Sequence, residues 1–116
     1  MKVMTYNVRG LGGRVKCGYL KNLMAKEEVE MLCIQETKLE LIDRALCQRI
    51  RGENDVEWFV SLTINRGRGL LCLWNKEDFS LQNSFHGQGF LAIKGIWKKK
   101  GIVITMVNVY SLRDID

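Results

Sequence analysis

Apolar residues recur with a helical period in parts of the first half of this chain and with a strand period through the second half. Residues 2–8 form a short β-rich run that stops at Arg9-Gly10-Leu11-Gly12-Gly13, so a strand followed by a glycine-rich turn is expected. Over residues 14–28, Val15, Tyr19, Leu20, Leu23 and Met24 fall at spacings that share one helix face, with Lys16, Lys21 and Lys26 elsewhere. Met31-Leu32-Cys33-Ile34 is apolar without a break and ends in Gln35-Glu36-Thr37-Lys38, the pattern of a strand covered on both faces. A second helix is predicted over residues 39–51, with Ile42, Ala45, Leu46 and Ile50 inward and Gly52 as its stop. Strands follow at 57–62, 69–75, 79–85, 90–97 and 102–110, separated by turns and read together as a β-meander. The order β-α-β-α and then β-strands predicts an α+β layered sheet protein.

Composition adds limits. The chain has 116 residues, 47% of them hydrophobic and 27% charged, which suits one compact domain and excludes a disordered tail. Proline is absent. The net charge of +5 is uneven, because residues 1–58 carry +1 and residues 59–116 carry +4. A basic balance of this size is compatible with a polyanionic partner and equally with surplus surface lysines. Cys17, Cys33, Cys47 and Cys72 form no C-x-x-C pair, so they are read as reduced small hydrophobes of an intracellular chain rather than zinc ligands. Nothing at the N-terminus has the form of a secretory signal, and no apolar run has the length of a membrane span. Lys98-Lys99-Lys100 and the pair Arg66 and Arg68 read first as solvated turns, and the one histidine, His86, as a surface residue.

Two strand ends carry the candidate chemistry. Asn7 closes the first strand and Glu36 the second, and a parallel pair joined by a helix would bring both to one edge of the sheet. A hard divalent cation takes oxygen ligands, commonly one or two carboxylates completed by water and phosphate, and Glu36 has that chemistry. Spacing alone favours the plainer reading, in which Glu36 is a solvated strand end and Asn7 a turn residue.

Thr5-Tyr6-Asn7-Val8-Arg9-Gly10-Leu11, Leu32-Cys33-Ile34-Gln35-Glu36-Thr37-Lys38, Gly69-Leu70-Leu71-Cys72-Leu73-Trp74-Asn75 and Val107-Asn108-Val109-Tyr110-Ser111 occur in this order. Together they resemble the endonuclease/exonuclease/phosphatase superfamily. Within it they are most similar to the apurinic-type endonuclease domain of plant LINE-type (non-LTR) retrotransposon proteins. The resemblance implies the N-terminal half of a four-layer α/β/β/α sandwich that hydrolyses phosphodiesters with Mg²⁺ or Mn²⁺ and acts on DNA. It implies Glu36 as metal ligand, Asn7 as a residue holding the site by hydrogen bonds, and Tyr110 beside the scissile phosphate. Arg9, Arg66 and Arg68 become candidate nucleic-acid contacts. Arg9 departs from the cellular repair branch, which has an acidic residue there.

The Gly-Asp-x-Asn and Ser-Asp-His segments that follow in the family are missing, and with them the residues that position and activate water. The expectation is therefore a truncated domain over residues 1–116, inactive alone, with nuclear action only if a functional parent exists. The alternatives are a non-catalytic remnant, a half-domain completed by another chain, and a fragment of a small-molecule phosphatase. A half-sandwich is also expected to leave one apolar sheet face uncovered and to self-associate through it.

Overall fold

The computed structural model describes residues 1–11, 13–39, 41–52, 55–62 and 69–109. Its elements run β1 (Val3–Asn7), α1 (Arg14–Glu27), β2 (Met31–Gln35), α2 (Arg44–Arg51), β3 (Val56–Ser61), β4 (Leu70–Asn75), β5 (Phe79–Gly87), β6 (Phe90–Trp97) and β7 (Ile102–Val109). The first sheet has the order β1-β2-β4-β3 and the second the order β5-β6-β7. β1 and β2 are parallel, and every other pair is antiparallel.

Strand alternation explains the layers. In β2, Leu32 and Ile34 pack with Leu71 and Leu73 of β4 against Cys17, Leu20 and Met24 of α1 and Leu46, Cys47 and Ile50 of α2. Met31, Cys33, Leu70, Cys72 and Trp74 point the other way and pack against Phe79, Leu91 and Ile93 of the second sheet. β2 and β4 are thus covered on both faces, which is why both read as unbroken apolar runs. Helices, first sheet and second sheet form an α/β/β stack. The fold class is α+β, compatible with part of a four-layer sandwich.

Three details differ from the sequence expectation. Val15 is 86% exposed and Tyr19 54% exposed, whereas Leu20 and Met24 of the expected face are buried and Cys17 joins them. The apolar residues outnumber one face of this helix, and the sheet selects which of them it buries. α2 starts five residues later than expected, because the Asp43 side chain accepts a hydrogen bond from the Leu46 amide at 2.9 Å and caps the helix there. The five C-terminal strands are not one meander. β3 and β4 join the first sheet beside β2, and only β5, β6 and β7 form a meander.

The fate of the uncovered face also differs. The two sheets bury their facing sides against each other. The exposed apolar residues Val103, Val107 and Val109 lie on the outer side of β7, since the alternate residues Ile104 and Met106 pack inward. Phe85 belongs to the same outer side, paired with Ala92, which pairs with Val107.

Two polar links cross the sandwich. At one end the Trp97 indole donates to Glu30 Oε2 at 3.2 Å, and the Lys2 amide donates to Glu30 Oε1 at 3.0 Å. Burial works to raise the Glu30 pKa, but these two donors together with the charges of the N-terminal ammonium and Lys99 outweigh it and hold the carboxyl below its usual value. At the other end Asn108, 2% exposed, reaches from β7 into the first sheet. Its Nδ2 donates to the carbonyls of Ile34 at 3.1 Å and Leu71 at 3.2 Å, and its Oδ1 accepts from Gln35 Nε2 at 2.7 Å.

A buried amide of this kind is costly to remove, because its partners lose their hydrogen bonds where water is excluded. Asn108→Ala is expected to lower unfolding free energy by about 2 kcal/mol, measured by urea denaturation with an unchanged m-value.

Candidate functional site

The C-terminal edge of β1 and β2 gathers the candidate residues. Asn7 stands opposite Gln35, Gln35 opposite Leu70, and Leu70 opposite Ser61, so one row crosses the whole first sheet at this edge. The parallel ladder continues past the strands: the amide of Val8 donates to Gln35 O at 3.1 Å, that of Gly10 to Glu36 O at 2.7 Å, and that of Leu11 to Thr37 O at 2.7 Å. The loops after β1 and β2 therefore run side by side.

This arrangement brings Asn7 and Glu36 into contact. Asn7 Nδ2 donates to Glu36 Oε2 at 2.6 Å, while Asn7 Oδ1 accepts from the Arg9 amide at 3.1 Å. The second bond is an Asx turn that fixes the orientation of the asparagine side chain. The expected pairing of these two residues is present, and one amide serves both the turn and the carboxylate. Glu36 is half-buried, and Oε1 has no protein partner among the described residues.

Backbone strain concentrates here. Glu36 has φ +57°, Arg9 +52° and Lys38 +54°, all in the left-handed region that residues with a Cβ enter at a cost. Arg9 is exposed, beside the pair. Arg66, Arg68 and Tyr110 lie outside the described residues. The strand ends leading to them, Ser61 and Leu70 on one side and Val109 on the other, are at this same end of the sandwich.

Several residues at the edge carried no sequence signal as site residues. Asn108 and Gln35 link the sheets beneath Glu36, as described above. The Thr37 hydroxyl is fully buried without a partner among the described residues, and a Cβ added at Gly69 would collide with it. A side chain at residue 69 would therefore have to displace the Thr37 hydroxyl. Lys16, read as part of the outer helix surface, reaches the loop after β1 with its ammonium. His86 pairs with Leu91, which pairs with Asn108, and its ring centroid lies 6.2 Å from that of Phe59. The histidine thus belongs to the same end of the sandwich, where it is exposed.

The donor set fits a hard cation in kind. A single half-buried carboxylate with a free oxygen suits an ion that fills its other positions with water and phosphate oxygens. A protein-made cage is not present: among the described residues no group of three or more His, Cys, Asp or Glu side chains converges.

The left-handed conformation at Glu36 has a measurable consequence. Glu36→Gly is expected to be more stable than Glu36→Ala by about 1 kcal/mol, because only glycine adopts this φ without strain, and paired denaturation curves read the difference.

No family model matches the sequence, and no curated protein matches it either. Solved structures do share the fold. The AP endonuclease LMAP from Leishmania major superposes with TM-score 0.63 at 21% identity, over 93% of this chain and 39% of that one. An AP endonuclease from Archaeoglobus fulgidus gives 0.64 at 20% identity, over 95% and 41%. ANGEL2, a 2′,3′-cyclic phosphatase, gives 0.62 at 13% identity, over 95% and 41%. The chain accordingly spans 39–41% of the length of these proteins and carries the fold of that part of AP endonucleases and a cyclic phosphatase.

Proposed function

We propose that residues 1–116 are the metal-binding part of a Mg²⁺-dependent phosphodiester-hydrolysing DNA endonuclease of the retrotransposon type, and that they are inactive alone. The observation that carries this reading is the Asn7–Glu36 hydrogen bond at the shared C-terminal edge of β1 and β2. In this reading Glu36 holds the cation through its free oxygen. Asn7 keeps the carboxylate in place, and Tyr110 stands beside the phosphate. Bound there, Mg²⁺ or Mn²⁺ would withdraw charge from a phosphoryl oxygen and stabilise the leaving oxygen. Arg9, Arg66 and Arg68 supply positive charge for a DNA backbone. The retroelement assignment rests on the Asn-Val-Arg-Gly-Leu and Gln-Glu-Thr-Lys wording, and the basic second half favours a polyanion over a small phosphoester.

Inactivity follows from the acid–base inventory. A general base must reach the attacking water directly or through one other water. At this edge the described carboxylate is Glu36, which the reading assigns to the metal, and Asn7 is an amide with no proton affinity to offer; His86, the imidazole at the same end, packs beside Phe59 of β3, the edge strand of the first sheet farthest from β1. Self-association, where it occurs, would use the outer face of β5, β6 and β7 rather than the interior of the sandwich.

Substoichiometric Mn²⁺ added to ¹⁵N-labelled protein is expected to broaden the Asn7 side-chain and Glu36 backbone resonances first, and Glu36→Gln is expected to abolish this. Supercoiled or abasic DNA with Mg²⁺ is expected to remain intact. Broadening centred elsewhere and unaffected by Glu36→Gln would overturn the metal assignment. Nicking that disappears on Glu36→Ala would overturn the proposed inactivity.

A further inference from the structure

We infer that Lys16 is a positioning residue of this edge, acting on Asn7 and Glu36 through the loop after β1. The inference rests on the metal-site reading above for its consequence, but its geometry stands independently. Lys16 Nζ lies 2.7 Å from Val8 O, 2.8 Å from Gly10 O and 3.4 Å from Arg9 O. An ammonium has three protons and no acceptor, so three carbonyls can share it fully.

Consecutive carbonyls do not converge on one point in a regular strand or helix. Here they do so because Arg9 has φ +52° and Gly10 has φ +106°, which turn the peptide planes inward. Three carbonyl oxygens facing one another repel, and the turn needs a cation at its centre to hold that shape. Lys16 supplies it from the first turn of α1, a position that the helix fixes relative to the first sheet through Cys17 and Leu20.

The held turn is the one that carries the site. Its entry is the Asx turn from Asn7 Oδ1 to the Arg9 amide. Its exit is the pair of ladder bonds from the Gly10 and Leu11 amides to the carbonyls of Glu36 and Thr37. Releasing the carbonyls would free the backbone between these two anchors, and with it the Asn7 side chain that orients Glu36. Lysine suits the task better than arginine, because a compact ammonium can sit among three oxygens that a planar fork cannot address together.

The sign of the effect on cation binding separates positioning from simple charge. Removing a positive charge near a cation site should strengthen binding by Coulomb's law. Loss of positioning should weaken it. Lys16→Met, Lys16→Arg and the control Lys26→Met are compared with the unaltered chain by Mn²⁺ line broadening and by the metal-free shifts of the Asn7 side-chain amide. Lys16→Met is expected to move the Asn7 resonances and to weaken Mn²⁺ binding at Glu36 at least 5-fold. Lys16→Arg should restore part of both, and Lys26→Met should change neither.

A folded Lys16→Met chain with unmoved Asn7 resonances and equal or tighter Mn²⁺ binding would overturn the inference. Should Lys16→Met fail to fold, the unaltered protein decides. Although Lys16 is exposed, its ammonium is expected to be held firmly enough by the carbonyls to appear in a nitrogen-edited spectrum, and an ammonium exchanging as fast as that of Lys26 would count against the inference. Absence of Mn²⁺ broadening at Glu36 in the unaltered chain would overturn the metal reading alone, since the metal-free Asn7 shifts still test Lys16.

Discussion

A strand that runs parallel to its predecessor can be reached only by a crossover that returns the chain to its starting end. In this protein α1 is that crossover, and the β1–β2 pair it creates sets the position of everything that follows. Because both strands end at the same edge, their following loops lie side by side and exchange backbone hydrogen bonds beyond the strands themselves. An antiparallel pair would have placed Asn7 and Glu36 at opposite ends. The left-handed residues Arg9 and Glu36 are a consequence of this side-by-side course, held by the bonds around them rather than preferred by their own sequence.

The second sheet serves the same edge from below. Asn108 is polar and almost wholly buried, and its amide satisfies carbonyls of β2 and β4 at once. An apolar residue there would pack but would leave the relative position of the sheets to be set by shape alone. Hydrogen bonds to two neighbouring strands and to Gln35, the residue before Glu36, fix the second sheet against the candidate ligand. The buried Cys33 and Cys72 sulfurs lie 3.5 Å apart between the same strands, and Asn108 Nδ2 is 3.8 Å from Cys72 Sγ. The hydrogen bond shared with Cys33, together with burial, pushes the Cys72 thiol well above its usual range. It behaves as core, in keeping with the sequence reading of these cysteines.

What the sequence disclosed follows the range of the interactions involved. β2 was legible because burial on both faces leaves an unbroken apolar run, and β6 because its turn residues bound it sharply. The meeting of Asn7 and Glu36 was legible through the parallel-pair argument and the motif wording. The inward face of α1 was legible only at Leu20 and Met24, because Val15 and Tyr19 fit the helical period as well as Cys17 does, and only the sheet beneath decides between them. The insertion of β3 and β4 beside β2 was hidden for a similar reason: strand period says which residues alternate and nothing about which strand they pair with. Lys16 was invisible because its role depends on three backbone carbonyls, and carbonyls have no signature in a side-chain pattern. Asn108 stood inside the Val107-Asn108-Val109-Tyr110-Ser111 motif, but its link to Gln35 requires contacts 73 residues apart.

The candidate site depends on the β1–β2 ladder continuing past the strand ends and holding the two loops together. Native-state hydrogen exchange of the Gly10 and Leu11 amides measures this directly. Both are bonded to carbonyls of the loop after β2, and they are expected to exchange as slowly as the amides within β2, opening only when the first sheet opens. Exchange of both amides at the rate of an unstructured loop would contradict the account, because Asn7 and Glu36 would then have no fixed frame in which to meet.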